Sequence, residues 1–287
     1  MKKYRAAIVS FLIVLMFMPI GHTLMILIEE LWPNHKYLGA GILGFLGTFL
    51  LLLGIYKNEK RSLATILGLI AGVLVWTGWV EFAFMWVAEK EGVQPLMENG
   101  EIATKPEYLV MLSSVGLLGP FLLYFLTGKN NCTFSVWIQK RTFLKNRINQ
   151  SVSDKAPKPL ATTTFIETIV LLWAFYILLL LIYDNSIAGD RHPITYIVAF
   201  GSLIWSLWLF NRLLRIKKFD YAIRYAIPTV IIFWNFIQII GRWDMLNEVW
   251  VEPFEHWIEN SLIAASLIFF IYHYIKSNRA AKRELAT

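Results

Sequence analysis

The sequence predicts an all-α integral membrane protein that crosses the bilayer about eight times and keeps both termini in the cytoplasm. Hydrophobic residues make up 57% of its 287 positions, charged residues only 16%, and the apolar positions fall in eight long runs. A soluble domain of this size exposes far more charge. The lipid bilayer is therefore the expected partner of most of the chain, and we expect a bacterial cytoplasmic membrane.

Eight segments are long enough to span a bilayer, since a helix of about 20 residues crosses about 30 Å of hydrocarbon. They lie near residues 6–28, 38–56, 63–88, 108–127, 165–183, 194–211, 221–243 and 258–275. The first run is longer than the apolar core of a signal peptide, and no small-x-small cleavage site follows it. It is therefore interpreted as the first span.

The basic residues fix the predicted orientation. Most of the 27 Lys and Arg lie at the two ends of the chain and in the connections after the second, fourth and sixth spans, whereas the connections after the third and seventh spans are rich in acidic residues. This split follows the positive-inside rule and requires an even number of spans. The net charge of +7 is explained by topology, and no basic face with stacking aromatics predicts a nucleic-acid partner.

The chain divides into three predicted parts: a first four-helix half (1–128), a basic amphipathic cytoplasmic linker (129–163) and a second four-helix half (164–287). Sliding the sequence by 158 residues aligns Lys60 with Lys218 and Trp76 with Trp234, and also matches span order and loop charge. Either the halves arose by duplication, or apolar helices match by chance. A true repeat would be parallel, because each half has an even number of spans.

Polar side chains inside the spans are candidate functional groups because they are costly in hydrocarbon. Helical rise places one set of them near the outer side of the membrane, around a predicted outward-facing cavity. The set is His22, Thr77, Glu81, Asn235, Gln238 and Arg242. The two amides are too short to reach water, so we expect them to hydrogen-bond across helices.

Glu81 is expected to face other helices. A period of 3.6 residues puts it on one side of the third span, and Trp76, Trp79 and Trp86 on the opposite, lipid-facing side. A buried carboxylate needs a positive partner to stay ionised. We therefore predict that Glu81 pairs with Arg242 or with protonated His22.

A metal ion is a candidate cofactor. His256 and Glu259 have the i, i+3 spacing with which two side chains of one helix can reach one metal, and with His22 and Glu81 they form a candidate ligand set. The alternative is ordinary polar decoration of a helix end at the interface. The single Cys132 excludes an internal disulfide and an all-thiolate metal centre.

Three functions remain open. The first is a permease or ion-coupled carrier of a small solute, in which Glu81 and His22 exchange protons and Arg242 or the amides hold the solute. The second is a membrane-embedded metal-dependent or redox enzyme acting on a lipid-soluble substrate. The third is a noncatalytic subunit that meets itself or another membrane protein. The sequence contains no Walker loop, dinucleotide fingerprint, HExxH or GxSxG motif, which argues against nucleotide-driven pumping by this chain.

Overall fold

The computed structural model describes residues 4–98, 101–127 and 159–284, and nearly all of them are helical. We number the elements in chain order. They are α1 (Arg5–Leu31), a 3₁₀ turn (Pro33–His35), α2 (Lys36–Tyr56), α3 (Arg61–Val75), a π-helix (Trp76–Glu81), α4 (Phe82–Glu91), β1 (Leu96–Glu98), β2 (Glu101–Thr104), α5 (Pro106–Leu112), α6 (Val115–Thr127), α7 (Leu160–Tyr183), α8 (Pro193–Leu213), α9 (Phe219–Arg242) and α10 (Trp257–Glu284).

The predicted class is confirmed: this is a helical, multi-pass membrane protein. Within the described part of the chain, seven helices are long and apolar enough to cross a bilayer, with the π-helix joining α3 and α4 into one span. An eighth span results if α5 and α6, which are bent by 49°, are counted together. The amphipathic linker predicted at 129–163 lies outside the described residues up to 158, and α7 already begins at Leu160.

The helices pack in a reciprocal pattern. Helix α1 packs against α9, while α3 packs against α7, and each half adds a neighbouring pair, α2 with α3 and α8 with α9. Exchanging the two halves leaves this set of contacts unchanged. The predicted parallel repeat requires such a pattern of contacts. The repeat itself remains a prediction.

Small residues bring α3 very close to α7. A Cβ atom at Gly68 would collide with the carbonyl oxygen of Ala161, and one at Gly54 on α2 would come within 2.7 Å of the Ala161 Cβ. Membrane helices lack a hydrophobic driving force between them, so they associate through close packing of this kind. These three residues therefore set the spacing of three helices at the end of the bundle where α3 and α7 begin.

The π-helix changes which residues of the third span face lipid. Trp79 and Trp86 are 38% and 51% exposed, as predicted, but Trp76 is only 3% exposed, so its predicted lipid-facing position is wrong. A π-helix widens the turn, so residues five apart share a face. Trp76 consequently lies on the same inward face as Glu81, which a regular 3.6-residue period does not predict.

The fourth span is broken rather than continuous. The Ser113 and Ser114 hydroxyls donate to the carbonyl oxygens of Val110 and Met111, each at 2.6 Å, and the chain bends there. Serine side chains that bond to nearby backbone carbonyls compete with the helical ladder. The indole of Trp173 on α7 donates to the Ser114 hydroxyl at 2.8 Å and ties the bend to the bundle.

Two ion pairs join helices at the inner end, by which we mean the end where α3, α7 and α9 begin and which is predicted to be cytoplasmic. Arg224 on α9 donates twice to Glu167 on α7, at 3.0 and 2.8 Å, and both side chains are buried. Arg61 on α3 donates to Asp220 on α9 at 2.8 Å, with the arginine more than half exposed. Glu167 was not singled out from the sequence.

Candidate functional site

The opposite, outer end of the bundle contains a cavity of about 180 Å³. It lies between the ends of α1, α5, α7 and α9 and the connection after α9. Its polar lining consists of a histidine, a glutamine, a threonine, three tyrosines and four charged residues. They are His22, Gln238, Thr104, Tyr108, Tyr176, Tyr183, Glu29, Lys105, Arg242 and Glu248. Three of the residues predicted from the sequence, His22, Gln238 and Arg242, therefore share one cavity.

Arg242 is paired, but not with Glu81. Its guanidinium donates two hydrogen bonds of 2.8 Å to Asp190, in the connection between α7 and α8, and lies 4.3 Å from the centre of the Tyr183 ring. The predicted Glu81–Arg242 pair is therefore wrong. Arg242 is the last residue of α9, and an arginine at a helix end reaches toward the interface rather than deeper into the bundle. It forms a fixed wall of the cavity.

A second, smaller cavity of about 40 Å³ lies below the first, and His22, Thr77 and Glu81 line it together. Glu81 is 3% exposed. The Trp76 indole N–H donates to its Oε1 at 2.8 Å, whereas Oε2 has no hydrogen-bond partner among the described residues. This inner cavity thus holds a buried carboxylate oxygen that the surrounding residues leave unsatisfied.

His22 and Tyr176 connect the two cavities, because both line each of them. The Tyr108 hydroxyl lies 3.5 Å from Nε2 of His22, and the Tyr176 hydroxyl lies 3.4 Å from Nδ1. Each ring nitrogen of one histidine therefore faces a tyrosine from a different helix, α5 or α7. The Tyr108 and Tyr176 rings stack loosely, with centroids 6.0 Å apart.

The two amides of α9 take different positions. Gln238 lines the outer cavity. Asn235, 2% exposed, lies outside the lining of both cavities, and its Nδ2 has no hydrogen-bond partner among the described residues. Interhelical hydrogen bonds were predicted for both amides, and neither side chain forms one with a described residue.

The structure does not assemble the four-residue metal set. His256 Nδ1 lies 3.9 Å from Glu259 Oε1, but neither residue lines the cavities of His22 and Glu81. The start of α10 meets α1 through Asn260 and Thr23, and Thr23 is turned about 100° around α1 from its neighbour His22. The described residues include no group of three or more His, Cys, Asp or Glu side chains placed to hold a metal.

The charges of the outer cavity are unevenly matched. Among side chains that the structure describes, Glu29 and Glu248 form no ion pair, whereas Arg242 is occupied by Asp190. Burial raises the pKa of Glu248 and nearby Arg242 partly offsets that rise. The carboxylates of Glu29 and Glu248 and the ammonium group of Lys105 are therefore available to interact with a ligand in the cavity.

Several of these residues were missed at the sequence level. Tyr108 and Tyr176 lie within predicted spans, and a tyrosine inside a span resembles any aromatic packing residue unless its hydroxyl partner is known. Glu248 belongs to an acidic outer connection, and Glu29, although it shares a helix face with His22, was not included in the candidate set. The useful signal was the i, i+7 spacing of His22 and Glu29, which places both on one face of α1.

Chemically, this arrangement can bind a small polar solute near the outer end and can hold a proton or cation at its base. Donors and acceptors from four helices converge on one partly open cavity, the usual organisation of a ligand site. No protein-family model, curated protein or solved structure matches this chain.

Proposed function

We propose that this protein is a membrane carrier for a small polar solute, which binds in the outer cavity. The observation that supports the proposal is the convergence of polar side chains from α1, α5, α7 and α9 on the outer cavity, which shares His22 and Tyr176 with the inner cavity of Glu81. Sites between helices of two related halves are typical of transporters. The predicted orientation opens this cavity to the outside.

The unpaired side chains favour a binding site over simple helix packing. Polar groups that only hold helices together are expected to satisfy one another, as Glu167 and Arg224 do at the inner end. In the outer cavity, Glu29 and Glu248 form no ion pair with a described side chain. A solute with a positive or hydrogen-bonding group would complete them.

The cavity size limits the solute. A volume of about 180 Å³ is below the range of about 300 to 1,000 Å³ found for drug-sized ligands. The lining offers both carboxylates and an ammonium group, so a zwitterion or a small polyhydroxy compound fits its chemistry better than an apolar molecule. Amino acids, amines and sugars are therefore the classes to test first.

The proposal is tested with purified protein in lipid nanodiscs. A panel of amino acids, amines, sugars and carboxylates is screened for compounds that raise the unfolding temperature, and each hit is then offered as a radiolabelled solute to proteoliposomes. Gln238→Leu should reduce uptake by about 5- to 150-fold, since one lost ligand hydrogen bond with its unpaired partner costs about 1–3 kcal/mol. Gln94→Leu makes the same change at an exposed glutamine outside the cavity and should leave uptake intact.

Two outcomes would contradict the proposal. One is that no compound in the panel stabilises the protein or enters the vesicles. The other is that Gln238→Leu and Gln94→Leu take up a hit at the same rate as the unchanged protein, which would place binding outside the cavity.

A further inference from the structure

Glu81 occupies an unusual position for a membrane-buried carboxylate. One oxygen accepts the Trp76 N–H, and the other has no partner among the described residues although it lines a cavity. The π-helix produces this geometry, because its wider turn puts Trp76 and Glu81, five positions apart, side by side. Such widened turns are frequent at functional sites.

No lysine or arginine among the described residues lines the cavity that Glu81 occupies. The titratable groups near Glu81 come from three helices; they are Glu29, Glu107, His22, Tyr108 and Tyr176. Helix α9 contributes Trp234 to the inner cavity but no charged side chain. A carboxylate in these surroundings needs a positive charge from outside the protein, so Glu81 has the features of an ion-binding residue.

The inner cavity suits a proton better than a metal cation. Hard cations take about six oxygen ligands. The side chains lining the inner cavity supply oxygens from Thr77, Glu81 and Tyr176 only, and the remaining walls are mainly aromatic and aliphatic. Its volume of about 40 Å³ holds roughly one water molecule.

A continuous series of titratable groups joins this site to the outer cavity. Tyr108 lines the outer cavity and faces Nε2 of His22, and Tyr176 faces Nδ1. Tyr176 also lines the inner cavity beside Glu81. A neutral imidazole accepts a hydrogen bond at one nitrogen and donates at the other, so it can pass a proton from one side of the ring to the other.

We propose that the ion coupled to solute movement is a proton, and that it reaches Glu81 from the outer cavity through Tyr108, His22 and Tyr176. Tyr108 takes a proton from water and gives its own to Nε2. The resulting imidazolium releases the Nδ1 proton to the Tyr176 oxygen, and the original Tyr176 proton forms an O–H bond with Oε2 of Glu81. Each bond formed is matched by one broken, and one proton leaves the outer water. Coupling of the proton to solute movement rests on the proposed carrier function, whereas the proton path to Glu81 does not.

The protonation of Glu81 can be measured directly. In lipid nanodiscs, infrared difference spectra between acid and alkaline buffer should show the carbonyl stretch of a protonated carboxyl, and Glu81→Gln should remove it. Glu89→Gln changes a carboxylate paired with Lys36 and Tyr37 outside both cavities and should keep the band. If Glu81→Gln does not fold, Trp76→Phe serves instead, because loss of the indole donor should shift the band.

The path is tested by the rate at which this band appears after a rapid drop in pH. Tyr176→Phe and His22→Gln should each slow proton uptake at least about tenfold, because a positioned proton donor or acceptor contributes about 10²- to 10⁴-fold to a transfer rate. Tyr196→Phe removes the hydroxyl of a tyrosine on α8 that lies outside both cavities, and should keep the original rate.

Three results would overturn the inference. They are the absence of a titrating Glu81 band, unchanged uptake rates in both path variants, and loss of the band when sodium replaces choline at constant pH. Solute uptake without titration of Glu81 would refute the proposed proton binding and would not contradict the carrier function. Glu81 titration through the path without uptake of any solute would support the path and contradict the carrier.

Discussion

The two ends of the helix bundle treat buried charge in opposite ways. At the inner end, the buried carboxylate of Glu167 receives two hydrogen bonds from Arg224. Toward the outer end, the equally buried carboxylate of Glu81 receives one hydrogen bond from an indole, and no described residue hydrogen-bonds to its other oxygen. Both residues are at most 3% exposed.

This difference separates structural from functional polar groups. A charged group that is fully paired within the protein has little remaining capacity to bind a ligand. Its removal leaves the partner charge buried and unpaired. Neutralising a carboxylate that has an unsatisfied oxygen next to a cavity costs less folding free energy. The same oxygen is able to bind an ion. We therefore expect substitutions at the inner end to damage folding and substitutions at the outer end to damage function.

The orientation of the two ends is the first thing to establish, and its readout is all-or-none. Reporters fused after Asn58, Asn149 and Lys217 should be active only in the cytoplasm, and those after Asn34, Asn99 and Gly189 only outside, because the basic connections lie with the former. Paired alkaline phosphatase and fluorescent fusions at each site measure this. A cytoplasmic signal after Asn99 would reverse the cavity and refute the topology.

The largest energetic effect is expected at the inner pair. Glu167→Ala should lower the free energy of unfolding by about 3–5 kcal/mol, because it leaves Arg224 buried without its counter-charge. Glu81→Gln should cost about 1 kcal/mol or less, since the amide oxygen can still accept from Trp76. Denaturation in mixed detergent micelles compares the two.

Arg61→Ala is the matched control for the inner pair, because its partner Asp220 sits at the same end but the arginine itself is half exposed. It should cost less than about 1 kcal/mol. Equal losses of unfolding free energy in Glu167→Ala and Glu81→Gln would contradict the distinction between the two ends.

A smaller effect should follow from helix spacing at the inner end. Gly68→Ala should destabilise the protein by about 1–3 kcal/mol, because the new methyl group meets the Ala161 carbonyl and forces α3 and α7 apart. Gly201→Ala on α8 meets no atom of the described residues within 4 Å and should be neutral or stabilising, since it restricts a flexible residue in a helix. Thermal unfolding of both variants, followed by fluorescence, decides whether packing is tight at the inner end.

The smallest effect is a pH dependence at the outer end. The pKa of Glu248 is raised by burial, so the folded state holds this proton more tightly than the unfolded state. Stability should therefore be higher at acid pH and fall as the pH rises from the ordinary carboxyl pKa toward the raised one. Glu248→Gln should flatten this part of the stability curve, as measured by unfolding temperature across pH. A curve identical to that of the unchanged protein would show that Glu248 is well solvated.

Hydropathy and charge were sufficient to predict the fold class and the spans, because membrane insertion depends on long apolar segments whatever their packing. Depth along each helix also predicted that His22, Thr77 and Glu81 lie at similar levels, and they line one cavity. Their role remains a prediction. Periodicity failed where the backbone departs from 3.6 residues per turn, as at Trp76, and where side chains compete with the ladder, as at Ser114.

Partners were harder to predict than positions. Arg242 and Glu81 lie near the same depth in the sequence-based picture, yet Asp190 in a connecting segment takes the arginine. The depth of a loop residue in the membrane cannot be calculated from helical rise. Partners that lie in connecting segments are therefore overlooked when depth is derived from the helices alone. The Glu167–Arg224 pair was missed for another reason: both residues lie near the starts of predicted spans, where a charged side chain is expected to reach water rather than a partner inside the bundle.

The π-helix also has a consequence for motion. Its hydrogen bonds run to the fifth preceding residue, and exchanging them for bonds to the fourth would move the wide turn along the span without a net loss of bonds. Each such exchange rotates the intervening residues about the helix axis by about 100° while the two helix ends stay fixed. Glu81, which lies within the wide turn, would then face different neighbouring helices. Such an exchange would redirect the buried carboxylate of Glu81 by local rotation, with no tilting of whole helices.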